Sequence, residues 1–361
     1  MPLRRLNLGL VLPQSGPSGI FGPSCQASAE YAIDELNAGG GILGREVTAV
    51  FVDGGADPSA VAACIADQTK RRELDAVVGW HTSAVRRRIV SAIGGRIPYV
   101  YTAVYEGGEN SDGVFMTGEV PTNQILPALE WMTEIGVRKW YVIGSDYVWP
   151  RKTVSVIREF LASNQRPSRG RSDVRLASCE FLSLGTSDFT STLEAIEMSG
   201  ADGVLVLLLG QDAVQFNRSF SRKGLHRDIV RLSPLMDENM LLASGAHAAH
   251  GLYSVSGFFE CLVTGHSMDF ESRYIKHFGP TAPPVTSPGE SCYEGIRLLA
   301  TLADRAGDLD PMSLSYHADR TLDYDSPRGH VRFDGRHLAQ DMYIARADGV
   351  EFDVLAQVSH V

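Results

Sequence analysis

Hydroxyl side chains stand beside large aromatic ones at several places in this chain. They recur in Trp80-His81-Thr82-Ser83, in Tyr101-Thr102-Ala103-Val104-Tyr105-Glu106-Gly107 and in Ser145-Asp146-Tyr147-Val148-Trp149-Pro150. Hydroxyls donate and accept hydrogen bonds, and aromatic faces bury apolar surface. That mixture suits a pocket that holds a small molecule without reacting with it. The parts of reaction chemistry are missing. There is no G-x-S-x-G elbow, no G-x-x-x-x-G-K-[ST] loop and no H-E-x-x-H pair. An enzyme would rest on Cys179 or His81, and neither has a partner set in the sequence. We therefore expect no catalytic residue, no cofactor and no metal. Gly39-Gly40-Gly41-Ile42-Leu43-Gly44 fits G-x-G-x-x-G, but it follows a helical stretch and enters a strand. A dinucleotide loop has the reverse context, with the phosphate at a helix N-terminus.

The elements that must position these residues alternate. Leu6–Leu12 reads as a buried strand, Ser24 to Asn37 as a helix, and Val47–Val52 as a second strand. Asp57 to Arg72 is helical, with Pro58 in the first turn, where a missing N–H costs nothing. Ala76–Val78 is a strand, Ser83–Ile93 a helix and Pro98–Tyr101 a strand. The pattern restarts at Trp140–Gly144 and runs through a helix from about Lys152 to Ser163. Leu176–Phe181, helix Asp188–Ser199, Val204–Leu209, helix Ala213–Lys223 and Ile229–Leu232 follow. Strands separated by helices of this length imply parallel sheets covered on both faces. In such sheets ligands bind at the C-terminal ends of the strands, where the hydroxyl–aromatic clusters fall.

The chain has 361 residues, above the roughly 250–300 at which one core stops growing. Two α/β lobes are expected, each a doubly wound parallel sheet. Gly251–Gly257, helix Glu290–Ala306 and the strand material Val331–Phe333, Met342–Ala345 and Phe352–Val358 are more than the second half can own. The economical arrangement places 1–120 and 255–328 in one lobe and 121–254 and 329–361 in the other. Three crossings then form a hinge around a ligand cleft.

The net charge is −10, with no concentrated basic face, so no direct nucleic-acid binding is expected. Arg86-Arg87-Arg88 reads as the solvated side of a helix. The run Leu8–Leu12 ends at Pro13, short of the roughly 7–15 apolar residues of a secretion signal. No stretch reaches the roughly 18 apolar residues of a membrane span. The five cysteines, Cys25, Cys64, Cys179, Cys261 and Cys292, show no C-x-x-C pair and read as reduced thiols. A cytoplasmic location without membrane insertion is the expectation, or a periplasmic or lipid-anchored one if a leader precedes.

Several segments resemble the periplasmic-binding-protein superfamily of the type that binds leucine, isoleucine and valine. They are Leu8–Gly22, Glu35-Leu36-Asn37-Ala38-Gly39-Gly40, Ile42-Leu43-Gly44-Arg45 and Gly329-His330-Val331-Arg332-Phe333-Asp334. Within it, Ile143 to Arg151 and Tyr101-Thr102 with Tyr105-Glu106-Gly107 are similar to the cytoplasmic amide sensors of aliphatic amidase operons. Trp149 stands where those sensors carry tyrosine, His81 where tyrosine is expected, and Ala103-Val104 in place of Thr-Pro. Secreted relatives often carry a disulfide between the loops after strands two and three. Here Asp53–Asp57 and Trp80–Ser83 hold no cysteine. The resemblance implies a ligand site built from His81, Ser83, Tyr101, Thr102, Ala103, Val104, Tyr105, Tyr147, Trp149, Leu209, Met236 and Asp237. It also implies that Leu207-Leu208-Leu209 faces the cleft and makes it apolar.

Two functions compete. The first is a sensor that binds a short aliphatic amide or similar small neutral ligand and controls amidase or nitrile hydratase genes through a partner regulator protein. An amide needs no buried counter-ion, and hydroxyls suffice. The second is the receptor of an ABC transporter for branched-chain amino acids, urea or short amides. Asp237 or Glu238 would then face an α-ammonium, against the simpler reading of a charge at a helix N-terminus. Self-association into a homo-oligomer is open under both.

Overall fold

The computed structural model describes residues 5–163, 174–318, 320 and 322–358. Met1 to Arg4, at the head of the segment weighed as a secretion signal, lie outside them. The chain forms two compact units, one of 1–118 with 262–340 and the other of 119–261 with 341–361.

Unit 1 begins with β1 (Leu6–Leu12), α1 (Gly22–Ala38), β2 (Val47–Asp53), α2 (Pro58–Lys70), β3 (Ala76–Gly79), α3 (Ser83–Ile93), β4 (Tyr99–Tyr101) and β5 (Val114–Met116). Unit 2 runs α4 (Pro121–Glu134), β6 (Lys139–Ser145), α5 (Val148–Ser163), β7 (Arg175–Leu182), α6 (Thr190–Ser199) and β8 (Gly203–Leu207). It continues with α7 (Gln211–Arg222), β9 (Val230–Leu232), α8 (Glu238–Ser244), α9 (Ala246–Ala249) and β10 (Leu252–Ser256). The chain then returns to unit 1 for α10 (Gly265–Phe278), α11 (Ser287–Ala306), α12 (Pro311–Ala318), β11 (Leu322–Ser326), β12 (Gly329–Asp334) and β13 (His337–Ala339). It ends in unit 2 with β14 (Tyr343–Asp348) and β15 (Glu351–Gln357).

The unit 1 sheet has the order β11-β12-β13-β5-β4-β3-β1-β2 and the unit 2 sheet β15-β14-β10-β9-β8-β6-β7. Each is parallel through its centre and antiparallel at one edge. Central strands are buried on both faces, which is why β3 and β8 read as unbroken apolar runs rather than alternating ones. Asp57 caps α2 by accepting from the Ser59 and Ala60 amides, so that helix starts where Pro58 predicts. Gly41 has φ 78°, and a Cβ there would stand 1.9 Å from the Arg45 carbonyl oxygen. The triple glycine is thus a turn between α1 and β2, not a phosphate loop.

All three boundaries differ from the expected ones. Residues 329–340, expected in the second lobe, belong to unit 1. There β12 pairs with β11 and β13, and β13 joins β5 at His337 and Met116. Residues 255–261, expected in the first lobe, belong to unit 2, along with Glu119 and Val120. There β10 runs to Ser256 between β9 and β14, and Phe259 packs on Phe352 at 5.0 Å. Strand pairing keeps two further strands, β12 and β13, in unit 1, and the end of β10 with the segment after it in unit 2. No described helix is long and apolar enough to cross a membrane.

Candidate functional site

In unit 1 the C-terminal ends of β3 and β4 carry seven of the expected residues. β3 delivers His81 and Ser83, the latter opening α3, and β4 delivers Tyr101, Thr102 and Tyr105 beyond it. His81 is buried. Its Nδ1 lies 3.2 Å from the Thr82 carbonyl and its Nε2 2.9 Å from the Tyr99 hydroxyl. Nδ1 therefore holds the proton and Nε2 accepts from Tyr99. Burial pushes the imidazole pKa down to about 3, so His81 is neutral. The Tyr101 hydroxyl donates to the His81 carbonyl oxygen at 2.6 Å. Thr102 turns elsewhere, to Cys292 on α11, with Oγ1 3.8 Å from Sγ. Ala103 is buried and Val104 half-buried. The Ala103 carbonyl sits so close to Gly118 that a Cβ there would lie 1.8 Å from it.

Arg86 overturns the reading of a solvated arginine run. Arg87 and Arg88 are exposed, but Arg86 is 2% exposed. Its guanidinium pairs with Glu106 at 2.8 Å and with Glu109, and lies 5.4 Å from the Tyr101 ring centre and 5.5 Å from that of Tyr105. Burial works against the charge on Glu109, but hydrogen bonds from Ser111 and the charge of Arg86 hold its carboxyl below the ordinary range. The helical register carried the signal: Arg86, Ile89 and Ile93 are spaced i, i+3, i+7 and share the buried face. The Tyr105 hydroxyl bonds to Nδ1 of His337 on β13, with the two rings 3° from parallel. Glu109 and His337 were not among the expected residues, because only tertiary pairing brings them here.

The strand-end tyrosines Tyr99, Tyr101 and Tyr105 thus have their hydroxyls committed inside the protein. Two other hydroxyls are not. Ser83 Oγ and Thr117 Oγ1 are buried without a geometrically satisfied hydrogen bond, and Thr117 was not anticipated. Thr82, at the N-cap of α3, makes no side-chain cap bond either. Amides in the first turn of that helix are left for another acceptor.

Unit 2 arranges its strand ends differently. Tyr147 and Trp149 stack with ring centres 6.5 Å apart, where β6 passes into α5. Trp149 is 1% exposed and its Nε1 has no hydrogen-bond partner. Leu207, Leu208 and Leu209 are buried, and the Leu209 amide donates to Ser145 Oγ at 3.1 Å. Past β9, Ser233 Oγ is buried without a partner, and the Met236 carbonyl accepts from Ser254 Oγ at 2.8 Å. Asp237 is the N-cap of α8, its Oδ1 accepting from the Met240 amide at 2.9 Å. Beside it Glu238 is buried and accepts from the Glu260 amide at 3.0 Å. Burial, with Asp237 next to it, pushes the Glu238 pKa up to about 8.

No cluster of three or more histidine, cysteine or acidic side chains among the described residues is arranged to hold a metal ion. All five cysteines are free thiols. The serine–histidine contact of unit 2, Ser221 Oγ with His247 Nδ1 at 2.6 Å, joins α7 to α9 and is not at a strand end. The hydroxyls beside aromatic faces at the strand ends suit binding.

Comparison with known proteins agrees with that chemistry. The family model described as periplasmic binding protein matches residues 5–351. A Leu/Ile/Val-binding protein homolog of Brucella melitensis is 26% identical over 174 residues, 46% of this chain and 44% of the relative. The match therefore spans less than half the length of that curated relative. A branched-chain amino acid transporter substrate binding protein of Streptococcus pneumoniae, solved with isoleucine, superposes with TM-score 0.84 at 19% identity, covering 99% of this chain and 100% of its own. An ABC transporter solute binding protein of R. palustris, solved with 4-hydroxybenzoate, gives TM-score 0.84 at 18% identity, covering 98% and 96%. The chain belongs to the periplasmic-binding-protein family.

Proposed function

We propose that this protein is a solute receptor of the Leu/Ile/Val-binding type, and that it hands a small amino acid to an ABC permease on the outer side of the cytoplasmic membrane. The observation that carries the reading is the acid pair at the head of α8. Glu238 is buried, and the neighbouring charges that act on it, Asp237 and Glu260, are both acidic. Such a wall favours a cation. In unit 1 the uncapped first turn of α3 and the Ser83 hydroxyl suit a carboxylate. In unit 2 the buried Leu207-Leu208-Leu209 segment fits an aliphatic side chain. Serving a permease goes with a periplasmic location.

The test is calorimetric titration with L-leucine, L-isoleucine and butyramide in buffers of different ionisation enthalpy. An ammonium near Glu238 favours its charged form, so amino-acid binding should release a proton at pH 7. Binding of L-leucine with proton release supports the reading. Binding of butyramide alone, with no proton exchange, would sink it.

That second outcome belongs to the amide sensor acting through a regulator protein, and one observation favours it. The buried cation of the unit 1 cluster, Arg86, is spent on Glu106 and Glu109 and offers no charge to a carboxylate. Neutral hydroxyls such as Ser83 would serve an amide equally well.

A further inference from the structure

A cavity of about 660 Å³ lies wholly within unit 1, lined by residues of α1, α10, α11 and β11. That is the size of a small-molecule site. None of the strand-end residues lines it. Four carboxylates, Glu35, Asp269, Glu294 and Asp325, and two guanidiniums, Arg273 and Arg297, stand on its wall. The acids exceed the bases by two charges.

Most of these groups are already held. Glu35 accepts from the Tyr31 and Tyr293 hydroxyls, each at 2.6 Å, and from Arg273. Arg273 turns its Nε to Asp269 at 3.0 Å. Glu294 is buried and accepts from Tyr324 and Ser326 on β11. Asp325 meets His330 at 3.4 Å, and both side chains are exposed. Arg297 is the exception. It is half-buried, and its guanidinium makes no hydrogen bond or ion pair among the described residues. Glu294, three positions earlier on the same helix face, is its natural partner. β11 takes that carboxylate away and leaves the guanidinium to the cavity.

We propose that this cavity is a solute site separate from the strand ends, and that it takes a basic amino acid: Arg297 holds the carboxylate, and Asp269 and Asp325 at the rim take the ammonium groups. The proposal does not rest on the strand-end reading. A free guanidinium fits a carboxylate with two parallel hydrogen bonds. A simple carboxylate would meet the excess of acids, and a diamine would meet Arg297. A ligand with one carboxylate and two ammonium groups answers both. Asp269 and Asp325 are exposed, so their contribution is small and Arg297 is the anchor.

Calorimetric titration with L-lysine, cadaverine and hexanoate separates the two heads. Cadaverine lacks the carboxylate, and hexanoate lacks both ammonium groups. L-Lysine should bind at least about tenfold tighter than either, as expected for one charge-assisted pair. Arg297→Gln should bring L-lysine down to the level of cadaverine and leave the thermal midpoint and L-leucine binding unchanged, because that guanidinium has no partner to lose. Glu238→Gln, at the strand ends of unit 2, should leave L-lysine binding intact. L-Lysine binding lost in Glu238→Gln and kept in Arg297→Gln would place the ligand at the strand ends and overturn the separate site. Hexanoate binding as tightly as L-lysine overturns the part of the acidic rim, and cadaverine doing so overturns that of Arg297. Binding of none of the three overturns the site. L-Leucine binding is untouched by each of these results, so the failure of this site and the failure of the strand-end receptor are told apart.

Discussion

The strand ends of the two units use their aromatic side chains differently. In unit 1 the aromatic hydroxyls are used up. Tyr99 and Tyr101 bond His81, Tyr105 bonds His337, and a buried arginine held by two carboxylates lies against two of those rings. In unit 2 buried donors are left over: Trp149 Nε1, Ser233 Oγ and Thr153 Oγ1 have no partners, and a carboxyl is kept close to neutral by burial. A satisfied polar network rigidifies, and an unsatisfied one invites a ligand. The difference teaches that residue type alone does not separate scaffold from contact. Tyr101 and Trp149 are both aromatic side chains at strand ends, yet the Tyr101 hydroxyl is bound to its own sheet and the Trp149 Nε1 has no hydrogen-bond partner.

The comparison breaks first at Arg86. Replacing it by methionine keeps the stem but takes the buried guanidinium from the half-buried Glu106 and Glu109, with only the exposed Arg87 near Glu106. Removing one partner of a buried ion pair costs about 3–5 kcal/mol. Urea unfolding of Arg86→Met should show a loss of that size, and a loss below about 1 kcal/mol would mean the cluster is no scaffold.

Much of this contrast was legible beforehand, and the illegible part has a physical cause. The parallel cores announced themselves, because doubly buried strands such as Ala76–Gly79 and Gly203–Leu207 are continuous apolar runs. Helix α3 was read to the residue. β5 and β13, of three residues each, carry no period, and β11 alternates too briefly to stand out. The site loops were found because hydroxyls beside aromatics at strand ends are visible as types. Their hydrogen bonds were not, since His337 meets Tyr105 across 232 positions. Asp237 was seen as either a cap or a contact. The cap is present in the structure, and both Asp237 and Glu238 beside it are buried.

Glu238 gives the next sharpest test. Its folded pKa, about 8, lies above the unfolded value of 4.5, so the native state binds the extra proton between them. The stability this contributes is complete below pH 4.5 and is lost as pH rises through 8. The slope is at most about 1.4 kcal/mol per pH unit. Glu238→Gln should flatten the stability profile over that window and be more stable than the parent at pH 8.5. Identical profiles for the two proteins would show that Glu238 is not the buried acid it seems from its packing.

Tyr99→Phe probes unit 1 at smaller amplitude. It leaves His81 Nε2 buried without its donor, and an orphaned buried acceptor costs about 1–3 kcal/mol. The loss should be independent of pH from 5 to 8, because His81 stays neutral throughout. Thermal unfolding at pH 5.5 and 7.5 decides it. A loss that grows at the lower pH would mean the ring takes up a proton there.

The smallest stability effect should come from Trp149→Phe, and that smallness is the point. The indole N–H of Trp149 already lacks a partner, so deleting it removes an unpaired buried donor and costs only the packing of part of a ring. Stability should change by less than about 1.5 kcal/mol, as volume-sparing core exchanges do. Affinity should fall further than stability if the N–H is kept for a solute acceptor, by about three- to tenfold for one hydrogen bond. A loss of stability comparable to that of Arg86→Met, with affinity unchanged, would place Trp149 in the scaffold and remove the contrast between the two units.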